Sequence, residues 1–287
     1  MADFVTDIFS DSNKYDVTKD YAYGKHELQN FDLVIPKDAE KDINIFIRIH
    51  GGAWIAGKKE NCTGDLEPYV KKRKMAALNI NYRIGAVGTH ISDCRMMLDD
   101  IHNAIKCVVE ICEEKGYSLK KAIVAGESAG AHLALMYSYK MQYECPVEIG
   151  LVYSNCAPTD MNDKNYIAGI STFKIDDIAN LCSILTGEDI GVEELYSNET
   201  KQKVDKVCPL YYMNDKIPPT IVNSCGKDVL VPVSNAEILV KELEKYGVDH
   251  YYACFKNSTH CGRDKKDFLT TAKFDKHFDE MIKKYIG

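Results

Sequence analysis

Apolar positions in this chain fall into short unbroken or alternating runs, separated by longer stretches with a helical period. Residues 31–35 alternate into Pro36 and read as a strand with a stop. Residues 43–49 predict a second, strongly β-branched strand, and residues 75–82 a third. A long helix is expected over 92–115. Its apolar residues Cys94, Met97, Ile101, Ile105, Val108 and Cys112 recur every three or four positions, and Gly116 follows as a stop. The run 122–125 is a buried strand leading into a helix over 131–141, and 147–153 is another strand. The pattern then resumes with a strand at 220–225, a helix at 234–246, a strand at 250–255 and an amphipathic helix at 266–285. Such alternation predicts an α/β fold, a mostly parallel central sheet flanked by helices on both faces.

Three segments break the rhythm. Residues 1–29 are polar and rich in Tyr and Asp, and are expected to lie across the surface. Residues 57–74 are polar, with a short helix expected near Pro68. Residues 157–215 hold two helical patterns, 176–185 stopped by Gly187 and 192–207. About 55 residues make a thin core by themselves. The stretch therefore reads as a partly helical insertion over the active site, within a single domain spanning 1–287.

Composition narrows the classes. The chain has 287 residues, 45% hydrophobic and 28% charged, enough for one large core without disulfides or metals. A net charge of −7 argues against a nucleic-acid partner, which calls for a basic face. The most basic cluster, Lys71 to Lys74, reads as the solvated end of a helix. Eleven cysteines, odd in number, irregular in spacing and without a Cys-x-x-Cys pair, read as reduced and mostly buried thiols. That composition, with no basic and apolar leader at the N-terminus, leads to a cytoplasmic expectation. No apolar run approaches ~18 residues, so no membrane partner is expected. The sequence leaves the oligomeric state open.

The chemistry centres on Gly126-Glu127-Ser128-Ala129-Gly130, between a strand and a helix. A serine on so sharp a turn is pushed out of the backbone, and small flanking residues let neighbouring segments approach. The helix that begins there points free N–H groups and a positive dipole end at the same spot. The pattern is short enough to arise by chance, and a serine there is otherwise a helix cap, so its partners decide. A serine hydroxyl needs a base, and the base needs a group that fixes its tautomer. His260 and Asp228 follow predicted strands and supply those roles, with Asp264 as a fallback for the acid. Ligands bind beyond the carboxyl ends of strands in such sheets, so the three can converge. His132, one turn into the helix, reads as packing. An oxyanion needs fixed N–H donors. Ala129 is one, and Gly52 and Ala53, in the His50-Gly51-Gly52-Ala53-Trp54 stretch after the second strand, are others. His50 is expected to support that loop.

These motifs resemble the α/β-hydrolase fold family. His50 to Trp54 with the Ser128 turn resembles its hormone-sensitive-lipase-like and bacterial carboxylesterase branches, and Pro218 through Asp228 to His260 the branch with acetyl xylan and feruloyl esterases. The resemblance runs from about residue 30 to the C-terminus and implies the Ser-Asp-His order found here. Three positions depart from the common pattern: Glu127 where Asp often precedes the nucleophile, Asn81-Tyr82-Arg83 where Asp-Tyr-Arg is usual, and Cys261 after the histidine. Trp54 and Glu127 are assigned to the substrate pocket, although Trp54 also suits a core and Glu127 also suits bonding to nearby loops. The expected activity is cleavage of short-chain or sugar-linked carboxylic esters, with no metal or organic cofactor implied. Amide hydrolysis of an arylformamidase-like kind uses the same machinery, and a non-catalytic binding protein on this fold is the reading from another class.

Overall fold

Strands buried on both faces carry two cores, one on each side of the sheet. In the computed structural model, which describes residues 4–163 and 174–287, eight strands form one sheet in the order β1-β2-β4-β3-β5-β6-β7-β8. They are β1 (Tyr15–Ala22), β2 (Asn30–Pro36), β3 (Asp42–Ile49), β4 (Ala76–Ile80), β5 (Ser118–Glu127), β6 (Glu148–Asn155), β7 (Thr220–Cys225) and β8 (His250–Phe255). The pairs from β4 through β8 are parallel, and β1 and β2 run antiparallel at one edge. Along β3 the side chains alternate between the cores: Ile45, Ile47 and Ile49 enter one and Phe46 the other. In β5, Ala122 and Val124 take the first side and Ile123 and Ala125 the second. Burial on both faces is why these strands read as continuous apolar runs.

The larger core is closed by α2 (Cys94–Glu114), α3 (Ala129–Lys140), α4 (Ile175–Thr186) and α6 (Val233–Lys245), and the smaller by α1 (Phe4–Ile8) and α7 (Phe268–Tyr285). Helix α2 starts on Asp93, whose carboxylate accepts from the Met96 N–H at 2.7 Å, and its apolar face is the stripe of three- and four-residue steps. Helix α5 (Asn198–Asp205) lies between β6 and β7. No helix among the described residues is long and apolar enough to cross a membrane.

Several expectations need correction. Residues 1–29 are not merely draped on the surface: α1 buries Val5, Phe9 is buried beside it, and β1 pairs with β2 as an edge strand. Strand β1 has no clean alternation because its second half is solvated, so its sequence carries no period. The polar stretch 57–74 holds a 3-10 helix, Lys59–Leu66, before the short turn of helix Pro68–Lys72. The helix expected over 192–207 is confined to α5, because Ser197 caps it by accepting from Thr200 N–H and the preceding residues form turns. Helix α4 matches its pattern and ends on Gly187 at φ +74°. The cysteines are mostly buried as expected, seven of the eleven, with Cys107, Cys145, Cys254 and Cys261 half-buried.

Candidate active site

The carboxyl ends of β3, β5, β6 and β7 finish nearly level. Ile49 pairs with Gly126, Glu127 with Asn155, and Asn155 with Asn223. Ser128 follows β5 directly, at φ +52° and ψ −125°, a conformation non-glycine residues rarely take. The turn is pinned: Ser128 N–H donates to Asn155 O at 2.8 Å, and His132 N–H to Ser128 O at 3.0 Å. It also depends on its glycines. A Cβ on Gly126 would stand 2.2 Å from the Gly130 carbonyl, and one on Gly130 would stand 2.3 Å from Ile49 O. Strain at one residue, held by its surroundings, lifts the hydroxyl above the sheet edge.

Ser128 lines a cavity of about 620 Å³ with Gly52, Ala53, Trp54, Glu127, Ala129 and His260. Asp228 sits behind His260, its side chain 1% exposed, with Oδ2 at 2.6 Å from His260 Nδ1. Its Oδ1 accepts from the N–H groups of Leu230 (2.8 Å) and Val231 (3.0 Å). A carboxylate fixed by three partners keeps the ring proton on Nδ1 and leaves a lone pair on Nε2. His260 Nε2 is buried and has no hydrogen-bond partner among the described residues. No bond to Ser128 is made, an arrangement common before substrate binds. Asp264, the fallback acid, instead caps a 3-10 helix through Lys266 N–H.

The loop after β3 is as constrained as the turn. Gly52, Ala53 and Trp54 all have positive φ, at +122°, +50° and +61°. His50 donates from Nδ1 to Gly51 O at 2.7 Å, and stacks on Tyr82 at 4.3 Å between ring centroids. Tyr82 also donates its hydroxyl to His50 O. Burial pushes the His50 imidazole down to about 4, so it stays neutral as a support. Trp54 is buried yet reaches the cavity wall. Its indole N–H donates to His132 Nδ1 (3.2 Å), and His132 Nε2–H donates to Val207 O (2.7 Å). That chain ties the loop after β3, α3 and the segment between β6 and β7 together. Burial lowers His132 to about 4 as well, as a neutral relay requires.

Glu127 lines the cavity and also pairs with Arg48, whose guanidinium bridges Asp65 and Glu127. Burial opposes the Arg48 charge, but the charges around it, Asp65 and Glu127 among them, raise its pKa. The departure at Asn81-Tyr82-Arg83 is absorbed by hydrogen bonds: Asn81 Oδ1 accepts from Lys59 N–H and Arg83 pairs with Asp100. Cys261 lines the cavity at φ +57°.

Three supports escaped the sequence reading. Asp267 accepts from Asn257 N–H and Ser258 Oγ, holding the His260 loop. Lys59, fully buried, pairs with Asp32, Asp20 and Glu60 beneath the glycine loop. Arg48 braces Glu127 from the neighbouring strand. A lysine inside a polar stretch and an arginine inside a strand give a local signal only of charge. Apart from Glu60, their partners lie well separated from them in the chain.

The BD-FAE family profile matches residues 31–243 of the 287. An isoprenylcysteine alpha-carbonyl methylesterase of Arabidopsis thaliana is 25% identical over 281 residues, 93% of this chain and 61% of that protein. A kynurenine formamidase of Salmo salar is 23% identical over 233 residues, 80% of this chain and 66% of that protein. The chain spans less than two thirds of the length of the curated relatives it matches. Esterase B from Lactobacillus Rhamnosis (HN001) superposes with a TM-score of 0.70 at 18% identity, covering 98% of this chain and 91% of that one. At that identity the likeness establishes the α/β-hydrolase fold.

Proposed function

The chain belongs to the BD-FAE family, and on that premise we propose that it is a serine hydrolase of carboxylic esters working through Ser128, His260 and Asp228. One observation carries the reading. A serine on a strained turn shares a cavity with a histidine whose Nδ1 is held at 2.6 Å by a buried carboxylate. In the reaction, Ser128 Oγ attacks the ester carbonyl as its proton passes to His260 Nε2. Asp228 keeps the ring in the right tautomer and steadies the imidazolium. The oxyanion settles on the N–H groups of Gly52, Ala53 and Ala129. The alcohol leaves with the proton from His260, and water, deprotonated by the same nitrogen, then hydrolyses the acyl-enzyme.

Pro158, Leu181, Leu230 and Val231 give the cavity apolar walls, which suits short acyl groups on a simple or sugar-linked alcohol. Pro158 and Leu181 come from residues 157–215, which we assign as a cap within one domain. Part of that stretch, residues 164–173, lies outside the described residues. Eleven thiols support a reducing, cytoplasmic setting.

The test is labelling by a fluorophosphonate followed by peptide mapping. Modification at Ser128, with turnover of p-nitrophenyl acetate, is the expected result. An unlabelled Ser128 in folded, active protein would overturn the assignment. The salmon relative favours a second reading, hydrolysis of an N-formyl aryl amide. The ratio of kcat/KM for p-nitrophenyl acetate and an N-formyl aryl amide separates the two.

A further inference from the structure

A cluster of sulfur and nitrogen atoms lies beside the histidine. One ligand atom each from Cys156, His260 and Cys261 fall within 4.8 Å of one another. In a tetrahedral zinc site, bonds of about 2.3 Å to sulfur and about 2.0–2.1 Å to nitrogen set neighbouring ligands roughly 3.5–3.8 Å apart. Ligand atoms at the 4.8 Å limit need to close by about an ångström. They come from two chain segments: Cys156 directly follows β6, and His260 and Cys261 follow β8. Cys156 and Cys261 both have positive φ, +54° and +57°, so each sulfur is presented by a tightly defined backbone.

A second observation points to a ligand. His260 Nδ1 is taken by Asp228, and the buried Nε2 has no hydrogen-bond partner among the described residues. A carboxylate on one imidazole nitrogen and a free lone pair on the other is the arrangement that metal-binding histidines use, because it fixes the tautomer and raises ligand basicity. Neighbours orient both sulfurs: Cys156 Sγ lies 3.5 Å from Cys225 Sγ, and Cys261 Sγ lies 3.8 Å from Asn155 O. Two thiolates and an imidazole select a thiophilic, borderline-soft ion over magnesium or calcium. We propose that Cys156, His260 and Cys261 form an inhibitory Zn²⁺ site, in which the metal occupies His260 Nε2.

Binding displaces the two thiol protons to solvent and makes no change of oxidation state. Affinity therefore rises with pH. The site rests on its own geometry. That it inhibits rests on the proposed function, because the nitrogen that the metal takes is the one assigned to accept the serine proton.

Co²⁺ added to the full chain reports the site directly. The expected result is one equivalent bound, with visible bands of a tetrahedral ion and near-ultraviolet thiolate-to-cobalt absorption. Cys156→Ser is expected to weaken binding at least about tenfold and to reduce the thiolate band. Cys261→Ala does the same from the other segment, and covers the case in which the first variant fails to fold. Cys254→Ser, outside the cluster, leaves the spectrum unchanged. In parallel, Zn²⁺ suppresses turnover of p-nitrophenyl acetate, EDTA restores it, and Cys156→Ser raises the required Zn²⁺ at least about tenfold. Absent thiolate absorption, or equal binding in wild type and both cluster variants, overturns the site. Thiolate-coordinated binding without loss of turnover overturns the inhibition. A metal-free chain inactive on esters counts against the proposed function, while the Co²⁺ spectrum still decides the site.

Discussion

At Ser128 the backbone is in a conformation that its residue type disfavours, and the neighbours supply the compensation. Asn155 accepts the serine N–H, and the two flanking glycines leave room for it. If Ser128 is the nucleophile, Ser128→Ala lowers kcat for p-nitrophenyl acetate by on the order of 10⁶, by analogy with serine proteases. Asp228→Asn keeps the shape but favours the wrong imidazole tautomer, so kcat falls by about 10⁴. Steady-state assays on folded variants check both, and an Asn variant within tenfold of wild type would remove Asp228 from its role. Ser128 and His260 are proposed from their positions after apolar runs, and the fold brings both to one cavity. For the proposed acid, the hydrogen bond at 2.6 Å from His260 to Asp228 favours Asp228 over the fallback Asp264.

At the level of elements, the turn into α3 and the glycine loop carry the constraint. Gly130→Ala forces a Cβ against Ile49 O, where backbone and not a flexible side chain must yield. A loss of roughly 1–3 kcal/mol or more follows, read as a lower midpoint in urea. Lys59 makes the opposite kind of demand. It is buried with Asp32, so Lys59→Met leaves a carboxylate without its partner. That costs about 3–5 kcal/mol in the same measurement. The backbone N–H of Lys59 still donates to Asn81 Oδ1 in this variant, so the loss is read in stability. The central strands and α2 were legible because burial on two faces, or on one helical face, writes a period into sequence. Strand β1 and the 3-10 helix at Lys59–Leu66 were not, since half-solvated edges and polar turns carry no period.

Across the whole molecule, His50 and His132 link the sheet edge, α3 and the segment between β6 and β7 while staying uncharged. Both have an ordinary pKa of 6.5 that burial lowers to about 4. Between those values the unfolded chain binds more protons than the folded one. Stability is therefore full above pH 6.5 and is lost as pH falls toward 4, by on the order of 3 kcal/mol per histidine. Urea midpoints measured from pH 7 to pH 4 check this, and replacing His132 by Asn should flatten the slope. What the sequence by itself determined was local: the alternation of strands and helices, the Ser-Asp-His order, and the small residues at the turn. Each is written in neighbouring residues through hydrophobic period or backbone sterics. Strand order, the pairing of Arg48 with Glu127, the relay from Trp54 to Val207 and the meeting of Cys156 with Cys261 were decided by tertiary structure alone. Those contacts join residues far apart in the chain, and only the parallel sheet, by bringing its strand ends level, puts them within reach.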